Sequence, residues 1–106
     1  MIVIEAIFEA FEGKADAMLA LCQRTVADTL PEKGCLVYRF ARSMYTDTQF
    51  ILFEVWESEA DLKAHFERAA FLNFFRDLPA LGVGVEYKAW QGNNERYIPP
   101  NGKPWW

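Results

Sequence analysis

Three observations on this 106-residue chain predict an α+β fold of the ferredoxin-like arrangement, βαββαβ, built on one antiparallel sheet. The apolar spacing switches between two residues and three to four in the order strand, helix, strand, strand, helix, strand. A short polar loop joins the two middle strands, which marks an antiparallel hairpin. Apolar residues are 52% of the chain, enough to build one core at this length but not two. Helices packed on one face of a single sheet satisfy that order.

Residues 2–11 are β-branched and aromatic, with Ile2, Ile4, Ala6 and Phe8 on one face and Val3, Glu5, Ile7 and Glu9 on the other, and Gly13 ends the strand. From Lys14 to Leu30 the apolar positions Ala15, Met18, Leu19, Cys22, Val26 and Leu30 recur at helical spacing, and Pro31 closes the helix. Pro31-Glu32-Lys33-Gly34 is a turn, with Gly34 free to adopt a positive φ. Residues 35–45 and Phe50 to Trp56 are the hairpin strands around the polar Thr46-Asp47-Thr48 loop. Ser58 is placed as the N-cap of a second helix whose stripe is Leu62, Phe66 and Ala69, and a second apolar set, Phe71, Phe74, Phe75 and Leu78, marks another helix or a bent continuation stopped near Pro79. Residues 83–91 supply the last strand, with Val83, Val85, Tyr87 and Ala89 on one face and Glu86, Lys88 and Trp90 on the other.

The hairpin strands do not alternate cleanly between wet and dry sides. Leu36, Tyr38 and Phe40 share one face while Val37 lies on the other, and Phe50 to Trp56 behave alike. Helices cover only one face of such a sheet, so a second sheet is expected on the other, and a second copy would supply it. The nine Phe, four Tyr and four Trp point the same way, because one small core cannot hide them all. Residues 1–91 are read as the domain and 92–106 as a proline- and aromatic-rich arm. That arm is either a frayed terminus or a segment laid over the partner subunit to cover Tyr97, Ile98, Trp105 and Trp106.

Fifteen acids against eleven bases, a formal charge of −4, disfavour nucleic-acid binding. The charged and apolar fractions exclude intrinsic disorder. No apolar run is long enough for a membrane span, and Glu5 and Glu9 interrupt the N-terminal segment as a signal peptide would not allow. Cys22 and Cys35 make no disulfide framework and read as small buried apolar groups, which places the chain in the cytoplasm. With one histidine, a Cys/His metal site lacks ligands, so no metal is expected.

Gly34-Cys35-Leu36-Val37-Tyr38, the strand Phe50-Ile51-Leu52-Phe53-Glu54-Val55-Trp56 and the helix Ser58-Glu59-Ala60-Asp61-Leu62-Lys63-Ala64-His65 resemble the antibiotic biosynthesis monooxygenase family. Its pattern is a Pro-x-x-Gly-Cys turn, a Phe-x-x-x-Glu-x-Trp strand and a helix bearing Ala and His. The resemblance spans residues 2–90 and implies a dimeric α+β barrel joined through its sheets. It further implies a quinol-type monooxygenase that oxidises an aromatic small molecule with O2 and no cofactor. A non-catalytic ligand-binding or stress-response module and a small signal-molecule isomerase are the other readings of the same fold. Two branches are disfavoured. The positions of the heme-degrading branch hold Ala6, His65 and Phe75, which leaves no axial ligand, and Leu52 stands where the polyketide-oxidising branch has Asn.

His65 follows Leu62 by three and so faces the sheet. It is read either as the base that takes a phenolic proton or as a satisfied buried histidine. Glu54 shares a face with Trp56 and is a structural or a catalytic carboxylate, with Arg39 or Arg42 as ion-pair partners in the first case. Trp56, Tyr38, Phe40, Phe71 and Phe75 are read as walls of an aromatic substrate cavity or as core.

Overall fold

β-branched and aromatic residues form the first strand, β1 (Ile2–Ala10), of the computed structural model, which describes residues 1–93, 95–96 and 98–103. Helix α1 (Ala15–Thr29), strands β2 (Cys35–Arg42) and β3 (Gln49–Trp56), short helices α2 (Glu59–His65) and α3 (Ala69–Asp77), a 3-10 turn and strand β4 (Gly82–Gln91) follow. The sheet order is β2-β3-β1-β4 with every neighbouring pair antiparallel, the ferredoxin-like arrangement expected from the sequence. Of the expected arm, Tyr97, Trp105 and Trp106 lie outside the described residues.

Local chemistry sets the joints. Gly34 has φ of +80°, and a Cβ there would overlap the Asp61 carboxylate, so the turn into β2 packs directly under α2. Ser58 caps α2: its hydroxyl oxygen accepts from the Asp61 N–H at 3.1 Å and its O–H donates to the Asp61 carboxylate at 2.9 Å. Between α2 and α3 the chain breaks at Phe66–Arg68, so the second apolar set forms another helix rather than a bent continuation.

One sheet face carries Ile2, Ala6 and Phe8 of β1, Tyr38 of β2, and Phe50, Leu52 and Trp56 of β3. These pack against Met18, Leu21 and Cys22 of α1, Phe74 of α3 and Leu78 to form the core. The expected α1 stripe holds through Ala15, Met18, Leu19, Cys22 and Val26 and departs at its last position. Leu30 is exposed, and the inward line runs through Met18, Leu21, Cys22, Thr25 and Thr29. On α2 the inward residues are Leu62 and His65, while Phe66, at its C-terminal cap, stays partly exposed and packs its ring against Phe71 at 4.9 Å.

The opposite face presents Val3, Val37, Phe53, Val55 and Trp90, so both faces are apolar, as the alternation suggested. Two bulges alter the predicted sides. The register shift between Cys35 and Val37 removes Leu36 from the helix-covered face, and the shift opposite Ile7/Phe8 pairs Val83 with Glu9.

Candidate active site

Ala6 leaves a gap in a strand face otherwise filled by large side chains, and the aromatic residues of α3 bridge over it rather than into it. The result is a cavity of about 400 Å³ between sheet and helices, within the range of small-molecule sites. Ile4, Ala6 and Phe8 of β1, Leu52 and Glu54 of β3, and Tyr87, Lys88 and Ala89 of β4 form its floor. Phe66, Phe71, Phe74 and Phe75 form its wall. Phe8 and Phe74 meet edge-to-face at 5.1 Å, and Phe71 and Phe75 lie 4.8 Å apart, which braces the wall.

Glu54 is the carboxylate in this apolar lining, and it is 7% exposed. The Trp56 indole N–H donates to its Oε1 at 2.8 Å, a bond made possible because the two residues share a strand face by period two. Burial pushes the Glu54 carboxyl up to about 7, against the pull of the Trp56 hydrogen bond and with help from the negative charge of Glu32. Such a group is half ionised near neutral pH and can accept a proton from a ligand in the cavity. The expected ion pair with Arg39 or Arg42 does not form. Arg39 stacks over Phe53 on the other face at 6.0 Å, and Arg42 lies over Phe50 at 5.0 Å with its Nε donating to the Asp47 carbonyl at 3.0 Å.

His65 is 1% exposed and lies behind the cavity lining. Its ring rests on Trp56 at 4.6 Å and 32°, with Phe71 and Tyr38 presenting edges at 5.4 and 5.8 Å. Nδ1 stands 2.8 Å from Glu32 Oε1, and that carboxylate is itself buried, with Arg68 Nη1 at 3.8 Å. Burial pushes the imidazole below its ordinary range, more strongly than the Glu32 hydrogen bond raises it. The contact is therefore a hydrogen bond from a neutral ring, with Nδ1–H donating to Glu32, rather than an ion pair.

Of the residues singled out from the sequence, Glu54, Phe71 and Phe75 line the cavity. Trp56, Tyr38, Phe40 and His65 stand in the packed layer behind it: Phe40 packs between Phe8 and Phe74 at 6.0 and 5.9 Å, and burial holds the Tyr38 phenol well above its ordinary range. Sequence reasoning missed Glu32, Ala6 and Tyr87. The small Ala6 among bulky neighbours was a visible sign of space, and Tyr87 lies on the strand face predicted for it. Nothing in Pro31-Glu32-Lys33-Gly34 announces a buried carboxylate.

Both thiols are unreactive groups, pushed up by burial to about 12 for Cys22 and about 11 for Cys35. Among the described residues no three His, Cys, Asp or Glu side chains stand together as a metal site requires, and no helix is long and apolar enough to cross a membrane.

Comparison with known proteins places this architecture. The antibiotic biosynthesis monooxygenase model matches residues 1–77. The chain is 31% identical over 80 residues to the uncharacterized protein sll1783 of Synechocystis, covering 76% of this chain and 54% of that protein, so it spans about half the length of that relative. It is 30% identical over 74 residues to YcnE of Bacillus subtilis, provisionally named a monooxygenase, covering 70% of this chain and 78% of that one. A crystal structure from Deinococcus radiodurans, provisionally described as an antibiotic biosynthesis monooxygenase, superposes with a TM-score of 0.86 at 18% identity. That match covers 93% of this chain and 99% of the other and speaks for the fold. With the matching sequence model, two relatives and the shared fold, the chain belongs to the antibiotic biosynthesis monooxygenase family.

Proposed function

We propose that the chain is a cofactor-independent monooxygenase that oxidises a phenolic or quinol-type aromatic substrate with O2, and that Glu54 is its proton acceptor. The observation that carries this reading is a buried carboxylate, raised to about 7, set in a cavity lined mainly by aromatic and aliphatic residues. A flat apolar substrate fills such a space with its rings and has one place to set an ionisable hydroxyl. Glu54 takes the hydroxyl proton and leaves an electron-rich phenolate. The phenolate gives one electron to O2, the two radicals combine at ring carbon, the peroxide takes back the proton held by Glu54, and the hydroperoxide loses water, with the hydrogen of that ring carbon, to leave a quinone. One oxygen atom enters the product, the other leaves as water, and the substrate supplies the electrons. The protein contributes orientation and a group whose proton affinity matches the working pH. His65, the other candidate base, is separated from the cavity by Trp56 and Phe71.

The sugar-derived substrate of the isomerase reading would need more polar partners than this mainly apolar lining, with Glu54, Tyr87 and Lys88, offers. We further propose that two copies pair through the outer sheet face, where Phe53 and Trp90 stand exposed. Oxygen uptake with a panel of naphthols and hydroquinones, in metal- and flavin-free protein, tests the activity. Uptake matched one to one by quinone, rising with pH through about 7 and lost in Glu54→Gln, is the expected result. Binding of the same compounds without uptake would make the chain a ligand-binding module instead.

A further inference from the structure

The Glu32–His65 pair lies outside the cavity, yet it is more thoroughly buried than most of the cavity wall: its side chains are 8% and 2% exposed. A buried carboxylate on a surface turn is costly unless its bonding holds something in place. Three contacts in series connect it to the cavity. Glu32 Oε1 accepts from His65 Nδ1 at 2.8 Å, the imidazole lies 4.6 Å from the Trp56 ring at 32°, and the Trp56 N–H donates to Glu54 Oε1 at 2.8 Å. The series crosses three separate pieces of chain, the turn, α2 and β3, and Gly34 makes it possible by letting the turn that carries Glu32 pack against α2.

We infer that His65, anchored by Glu32, is a positioning residue: it holds the Trp56 indole so that its N–H engages one oxygen of Glu54 and leaves the other to the cavity. An indole on a strand can rock about its side-chain bonds, and its N–H reaches the carboxylate of the residue two positions earlier only over a narrow range of tilt. The imidazole limits that tilt from behind, with Phe71 closing its other side at 5.4 Å from His65. The inference rests on the role given to Glu54 for its functional meaning, while the geometry stands independently of turnover.

Trp56 on its own strand and Glu32 on the turn bear on the titration of Glu54, Tyr38 and Cys35 on β2 feel its charge, and Tyr87 and Lys88 on β4 line the same cavity, with Lys88 paired to Glu86 at 3.0 Å. The Glu32 charge raises Glu54 through space, whereas the indole bond lowers it. Position and field therefore act with opposite sign and can be separated.

The test is made on substrate-free protein with 15N-labelled indoles and 13C-labelled carboxyl groups, with Trp56→Phe identifying the Trp56 resonance. In the native protein the Trp56 N–H signal moves with the Glu54 midpoint. A Trp56 N–H indifferent to that midpoint overturns the inference before any His65 variant is made. In His65→Ala the N–H signal loses its hydrogen-bonded position, and the Glu54 midpoint rises by about one pH unit, a tenfold loss of the ionised form below that midpoint. A lower melting temperature with both signals unmoved would reduce His65 to packing and refute the inference. Glu32→Gln keeps an acceptor for Nδ1–H but removes the charge, so the midpoint falls; a rise there would also count against it. In the Trp56→Phe background, His65→Ala adds nothing further, and additive effects would show that His65 does not act through the indole. Absence of turnover with every phenol would end the oxygenase reading and leave these titrations standing.

Discussion

Glu54→Gln tests whether the cavity carboxylate is a group kept at a cost to stability. An unfolded glutamate sheds its proton near 4.5, and in the folded chain burial holds it to about 7. Between those values the folded state keeps a proton that the unfolded state has lost, so stability falls as pH rises through this window and levels off above it. The difference corresponds to about 3 kcal/mol of destabilisation at alkaline pH, present in full above the folded value and absent below the unfolded one. Glutamine does not titrate. Its carbonyl oxygen still accepts from the Trp56 N–H, and its amide faces the cavity at a cost of about 1–3 kcal/mol that does not depend on pH. The variant should therefore be the less stable protein at about pH 4 and gain on the native chain by about 3 kcal/mol at about pH 8.5. His65 protonation, which weakens both proteins as pH falls below the imidazole's ordinary range, cancels in the comparison. Urea unfolding followed by tryptophan fluorescence reads the difference. Parallel stability-pH curves for the two proteins would refute the assignment of a raised carboxyl to Glu54, and with it the proposed base. On the activity side the same variant should lose on the order of 10²-fold or more in turnover.

Ala6→Leu grows a side chain into the cavity floor from a residue 2% exposed, and should raise KM on the order of tenfold while thermal stability changes little. Phe53→Asp puts a charge on the outer sheet face; sedimentation should show a dimer for the native chain and a monomer for the variant, and a native monomer would sink the pairing proposal. Gly34→Ala forces a Cβ against Asp61 at φ of +80° and should cost about 1–3 kcal/mol by chemical denaturation. Native protein at neutral pH should resist iodoacetamide at both thiols, with Cys35 reacting before the more deeply buried Cys22 as pH rises.

The strands, helices and their order were legible because each repeats a local period: two through Ile2, Ile4, Ala6 and Phe8, three to four through Ala15, Met18, Cys22 and Val26. The Glu-x-Trp spacing put Trp56 and Glu54 on one strand face, since residues two apart on a strand share a face, and the structure adds the hydrogen bond between them. Periodicity misled where the backbone breaks it. One extra residue at Leu36 and another at Val85 reverse the sides of their neighbours, and the break after α2 leaves Phe66 partly exposed beside the inward His65. His65 looked like the base because it is the sole histidine and faces the sheet. Facing the sheet, however, is not facing the cavity, and only the packing of Trp56 and Phe71 around the ring decides between them. Glu32 is the limiting case: it lies 33 residues before its partner, in a turn whose composition says only that it turns. Sequence by itself determined the architecture, the family and the strand face that carries Glu54. Tertiary structure decided which ionisable group meets the cavity, because burial and hydrogen-bond partners are properties of contacts between distant segments, and local spacing does not encode them.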